Sequence, residues 1–127
     1  MPIGTAKLSL SPNNGYPGFC VDDKYFPPSY FEEGNRKIVF EYDYGKDIIF
    51  KLKNKQQEDT SIDDNGEIIK DKYIVLEHML LEYVELRQTH FHQFFFDPFF
   101  GINEEEKILH IPNLDEFPKW ALKLQVT

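Results

Sequence analysis

The sequence predicts an all-β chain folded as an antiparallel β-sandwich, and three observations carry that prediction. Apolar residues recur at alternate positions in several short segments, the period of a half-buried strand. Turn chemistry separates these segments, as in Pro12-Asn13-Asn14-Gly15, Asp43-Tyr44-Gly45-Lys46 and Asp64-Asn65-Gly66. No capping box opens the one stretch whose spacing also suits a helix. Many short strands with intervening turns favour a sandwich over a barrel. No internal repeat or long linker interrupts the 127 residues, so one domain spanning residues 1–127 is expected.

Lys7-Leu8-Ser9-Leu10-Ser11 alternates polar and apolar and reads as a first strand, with Pro12 to Gly15 as its exit. Tyr16 to Phe31 is aromatic and proline-rich; Pro17, Pro27 and Pro28 cannot donate to a ladder, which leaves a short strand around Phe19 to Val21. Arg36 to Tyr42 and Asp47 to Lys53 are the clearest strands, with Ile38, Phe40 and Tyr42 on one face of the first and Ile48, Phe50 and Leu52 on one face of the second. The turn residues between them predict a hairpin with one face buried. Asn54 to Gly66 is a polar loop. Lys72 to Leu86 opens with the β-prone Tyr73-Ile74-Val75 and reads as two strands or one long bent strand. Its alternation is broken, and a helix from about Glu77 to Gln88 is the alternative because Leu76, Leu80 and Tyr83 could line it. Pro98 marks a break, Glu104-Glu105-Glu106 an exposed loop, and Lys107 to Ile111 a short strand. Trp120, Leu122, Leu124 and Val126 alternate with Ala121, Lys123 and Gln125, which predicts a final half-buried strand.

Apolar residues make up 41% of the chain and aromatics 16%, enough for a core without metals or disulfides. A formal net charge of −8 opposes docking on phosphate backbones and anionic membranes, so neither nucleic acid nor membrane is an expected partner. Cys20 is the single cysteine and reads as a small buried hydrophobe. The N-terminus lacks a basic segment followed by an apolar run, and no stretch approaches about 18 apolar residues. A virion or cytoplasmic location is expected.

Six phenylalanines, Phe91, Phe94, Phe95, Phe96, Phe99 and Phe100, fall in one short tract, and no regular period puts all of them on one face. Core packing or contact with another subunit is expected for most, with Phe94, Phe95, Phe96, Phe99 and Phe100 as the interface candidates. The better ligand candidates combine a ring with a polar handle and stand near loop carboxylates: Tyr16, Tyr25, Tyr30 and Trp120, with Asp22 and Asp23. Sugars stack on such rings, and glycan is the ligand considered; the same rings suit a protein interface. Tyr44 shares that character, and Asn13 and Asn14 stand beside the same loops.

Other chemistry is poorly represented. His90 and His92 share a face if extended, but a third metal ligand, His78 or His110, would have to arrive from distant sequence. Cross-strand or surface roles are expected for them, and no metal or cofactor. Asp59, Asp63, Asp64, Asn65 and Glu67 offer hard oxygens, yet a calcium loop with Gly66 in sixth place has Lys72 where its twelfth-place carboxylate belongs. No spacing pairs two carboxylates across a cleft, and neither Ser29 nor Cys20 has the setting of a nucleophile, so no catalytic residue is assigned and the chain is expected not to be an enzyme.

Lys51 to Thr60, Ile62 to Leu76 and Leu80 to Leu86 form a succession of strand patterns with Asp-Thr and Asp-Asn-Gly turns. It resembles small β-sandwich domains in structural proteins of tailed bacteriophages, which are similar to carbohydrate-binding modules. The resemblance covers roughly Val39 to Leu86, implies a jelly-roll or carbohydrate-binding-module-like sandwich, and favours strands for Lys72 to Leu86. It assigns no binding residue; Asp59, Asp64 and Asp71 are loop-shaping candidates. The resulting expectation is a non-catalytic accessory or structural module of a phage particle that binds glycan, or alternatively an acidic interaction or inhibitory protein. A protein assembly or homo-oligomer is the expected partner.

Overall fold

The computed structural model describes residues 2–12, 15–55, 61–94 and 97–119. They build two antiparallel sheets around one core, the arrangement of a β-sandwich. In the first sheet, β1 (Ile3–Leu10) lies between an edge strand, β4 (Lys37–Glu41), and the long β8 (Ile74–Glu85). The far side of β8 pairs with β9 (Gln88–Gln93) and then with β10 (Phe99–Phe100). The second sheet runs in the order β11 (Glu106–His110), β5 (Asp47–Lys53), β2 (Gly18–Val21), β3 (Lys24–Phe26). A small hairpin, β6 (Ser61–Ile62) with β7 (Ile68–Lys70), and a short helix, α1 (Pro28–Glu32), complete the described elements. The expected strand 120–126 lies outside the described residues.

β4 and β5 alternate as predicted, but the hairpin expected between them does not form. Gly4 of β1 faces Phe40 in β4, whereas β5 pairs with β2 and β11 in the other sheet. Residues Asp43 to Lys46 therefore carry the chain across the core, and the Phe40 and Phe50 rings meet edge-on at 5.8 Å. Alternation specifies which side chains face inward and says nothing about the pairing partner, so a hairpin and a crossing share one sequence pattern. Gly45, at φ 75°, turns this corner. Its N–H donates to the Pro112 carbonyl at 2.9 Å, and the Ile111 N–H to that of Lys46 at 2.9 Å.

β8 is one bent strand, not a helix. Its register against β1 shifts between Thr5 opposite Leu80 and Lys7 opposite Glu77, at a bulge where His78 has φ 50°. The extra residue reverses which parity faces inward: Ile74 and Leu76 are buried before it, Met79, Leu81 and Tyr83 after it. β1 pairs with β8 only as far as Leu81, so residues Glu82 to Glu85 are laddered to β9 alone. Helix α1 was not legible in the sequence. Pro28 is tolerated there because the first helical turn has no partner for its amides, and Phe31 anchors the helix in the core.

Aromatic groups fill much of the interior. Phe19, Phe40, Phe50 and Phe100 form the centre, with Phe19 and Phe100 edge-on at 5.1 Å. Tyr42, Tyr44, Tyr83 and Phe117 surround one another at one end. The Phe40 ring lies against Gly4, where a β-carbon would come within 2.3 Å of it. A buried ion pair between Lys55 and Asp71 ties the segment after β5 to the entry of β8, and the other Asp71 oxygen accepts the Ile102 N–H at 3.0 Å.

Candidate functional site

The rings expected to bind ligand are largely consumed by the fold. Tyr30 packs against Phe26 and Phe31, and its hydroxyl donates to the Lys37 carbonyl at 2.5 Å. Tyr16 is half-buried beneath the Arg36 guanidinium, 5.4 Å from its ring centre. Tyr25 is exposed to 46% on the outer face of the second sheet, above Gly18, and its hydroxyl accepts from the Asn54 amide at 2.5 Å. Among the described residues no second ring lies coplanar with it; Trp120, Asn13 and Asn14 fall outside them. The phenylalanine tract divides. Phe94 and Phe100 are buried in the core and therefore out of a partner's reach, Phe99 is half-buried against Tyr73, and Phe95 and Phe96 lie outside the described residues.

The histidines take cross-strand positions. His90 stacks on Tyr83, its partner across β8 and β9, and His92 is buried edge-on to Phe94, where burial holds its pKa below the ordinary 6.5. His110 meets Asp47 at 2.6 Å. Asp63 shapes the small hairpin by accepting the N–H groups of Asn65 and Glu67. Asp71 is likewise a structural carboxylate, as its ion pair shows. Among the described residues no three His, Cys, Asp or Glu side chains converge to hold a metal.

What the fold assembles instead is a cleft of about 560 Å³, where edge strand β4 and the corner after it part from the turn between β2 and β3. Asp22 and Asp23 meet Glu41, Asp43 and Asp47 there, with Lys24 and Lys46 the cationic members. Asp22, at φ 53°, turns the chain and accepts the Ile49 N–H at 2.8 Å. Lys46 lies 3.7 Å from Asp43, and the Lys24 ammonium donates to the Val39 carbonyl at 2.7 Å. Asp23 and Glu41 have no ion-pair partner among the described residues. Val21, Phe40 and Tyr42 supply an apolar floor. Burial, then the neighbouring Tyr44, raises the Tyr42 pKa, so its phenol stays protonated and donates to the Glu82 carbonyl at 2.5 Å.

Scans of family models, curated proteins and solved structures return no match.

The local geometry therefore defines what the site can do. The cleft pairs an acidic rim with apolar floor and strand edge, a surface for a cationic or hydrogen-bonding ligand. Of its acids only Asp22 and Asp23 stood out in the sequence, because Glu41, Asp43 and Asp47 approach them only after the chain has crossed between sheets. Their one sequence signal is the density of carboxylates from Glu41 to Asp47.

A second surface lies at the end of the β8–β9 hairpin, where β8 has outrun β1. Val84 is exposed to 52%, Phe91 to 59% and Leu86 to 88%. Leu86 and Arg87 form the two-residue turn with φ 52° and 62°, a left-handed geometry that ordinarily selects Asn and Gly. Among the described residues no helix is long and apolar enough to cross a membrane.

Proposed function

We propose that this chain is a non-catalytic β-sandwich module of a larger protein assembly, a phage particle, and that it joins that assembly through the β8–β9 hairpin. The hairpin end carries the reading: three exposed apolar side chains lie along a two-stranded extension whose strained turn does not use the residues that would relax it. Backbone strain of this kind clusters where a surface is used, and apolar groups so exposed become favourable once a partner covers them. The resemblance of Val39 to Leu86 to structural proteins of tailed phages supports the same reading. Glycan binding is the second reading, favoured by the exposed Tyr25 ring beside the Asn54 amide.

Light scattering over a wide concentration range tests the first. The expected result is a species larger than the 15.1 kDa monomer that Leu86→Asp and Phe91→Ser return to monomer. A monomer throughout, unchanged by either substitution, would overturn self-assembly through the hairpin. Calorimetric titration against a glycan panel tests the second, with Tyr25→Ala expected to abolish any saturable heat.

A further inference from the structure

The open edge of β4 supplies a second docking surface. In the β1–β4 pair the Ala6–Ile38 and Gly4–Phe40 positions face one another, and the Leu8 and Tyr42 N–H groups bond the Arg36 and Pro2 carbonyls. Residues 36, 38, 40 and 42 thus turn their backbone groups toward β1, and Lys37, Val39 and Glu41 turn theirs away from it. Two of those outward carbonyls are satisfied within the chain, Lys37 by the Tyr30 hydroxyl and Val39 by the Lys24 ammonium. At Glu41 the covering stops, and there the acidic cleft begins.

We propose that the uncovered stretch from Glu41 to Asp43, beyond the Val39 carbonyl that Lys24 covers, is a strand-addition site that receives an extended basic segment of a partner protein. Three features argue for that occupant. An edge amide and carbonyl on an extended strand are the groups that a strand from outside pairs with. The cleft holds the unpaired edge open beside the apolar floor of Val21 and Phe40. Its rim carries five carboxylates against two lysines, and both lysines already have partners in Val39 and Asp43, so an incoming Lys or Arg meets uncompensated Asp23 and Glu41. An alternating segment would place main-chain groups on β4, apolar side chains on the floor and cations on the rim. The proposal rests on the reading of the chain as an assembly module and adds the chemistry of a partner.

The test uses an octapeptide alternating Lys and Val, followed by amide chemical shifts of the whole protein. Saturable shifts centred on Glu41 and Asp43 are expected. Methylating the peptide amides that face β4, or replacing its Lys by Glu, should weaken binding by about tenfold or more, as should Asp23→Lys with Glu41→Lys on the protein. No saturable shift, shifts centred elsewhere, or equal binding by the methylated peptide would each overturn strand addition; the peptide arms decide even if the double variant does not fold. Peptide binding by a protein that stays monomeric would keep this site and remove assembly through the hairpin, and hairpin-dependent assembly without peptide binding would do the reverse.

Discussion

Replacing Leu86 by Asn and Arg87 by Gly should make the protein more stable and, on the proposed role of the hairpin, abolish assembly through it. Both residues hold left-handed backbone, at φ 52° and 62°, and an L side chain there costs roughly 1–2 kcal/mol per residue. Asn tolerates the region and recovers part of that cost, about 0.5 kcal/mol. Gly removes the strain but loses more chain entropy on folding, a penalty of about 0.5–1 kcal/mol, so its net gain is also roughly 0.5–1 kcal/mol. Little packing is lost, because Leu86 is 88% exposed. The sum is about 1–1.5 kcal/mol, a rise in Tm of several degrees for a chain of this size. Urea unfolding, with an unchanged m value, measures it. A variant that is neutral or less stable would show that the turn is not strained as inferred, and light scattering on the same sample reports assembly.

Phe100→Ala removes a buried ring that meets Phe19 and Phe50 and should cost about 3–5 kcal/mol in urea unfolding, whereas Phe91→Ala should stay within about 0.5 kcal/mol; comparable losses would contradict the division of the phenylalanine tract. Gly4→Ala should cost about 2–3 kcal/mol, because its β-carbon would lie 2.3 Å from a Phe40 ring confined by Phe50. Asp71→Asn should cost about 3 kcal/mol by stripping the buried Lys55 of its counter-charge, with guanidinium unfolding as the measurement. His92 has its folded pKa below 6.5, so the unfolded chain binds the proton more readily: its contribution is full above about pH 6.5 and falls as pH drops toward the folded value. His92→Phe should flatten stability against pH across that window.

The sequence carried strand identity further than strand partnership. Ile38-Phe40 and Ile48-Phe50-Leu52 declared their inward faces, yet their placement in opposite sheets depends on β1, β2 and β11 competing for their edges. The broken alternation of Lys72 to Leu86, equally readable as helix, is the imprint of the bulge at His78, one inserted residue that reverses parity. Tyr30 has the character of a ligand ring, an aromatic face with a polar handle near a loop, but its hydroxyl is taken by a main-chain carbonyl in β4, seven residues on, which alternation leaves anonymous. Asp22 and Asp23 are legible in the sequence as carboxylates beside loop tyrosines. Their meeting with Glu41, Asp43 and Asp47 depends on the crossing between sheets, a long-range event with no local signature.

The position of β1 has a kinetic consequence. As the chain emerges from a ribosome, Ile3–Leu10 is made well before one of its two neighbours, β8. Until Leu81 has been synthesised, β1 can hold at most β4 on one side and presents a bare ladder on the other. Long-range strand closures of this kind fold slowly, in milliseconds to seconds, and unpaired ladders recruit strangers during that interval. Chains ending before Ile74 should accordingly precipitate or cling to chaperones, while chains that carry β8 through β11, and so pair both sides of β8 and the free side of β5, escape.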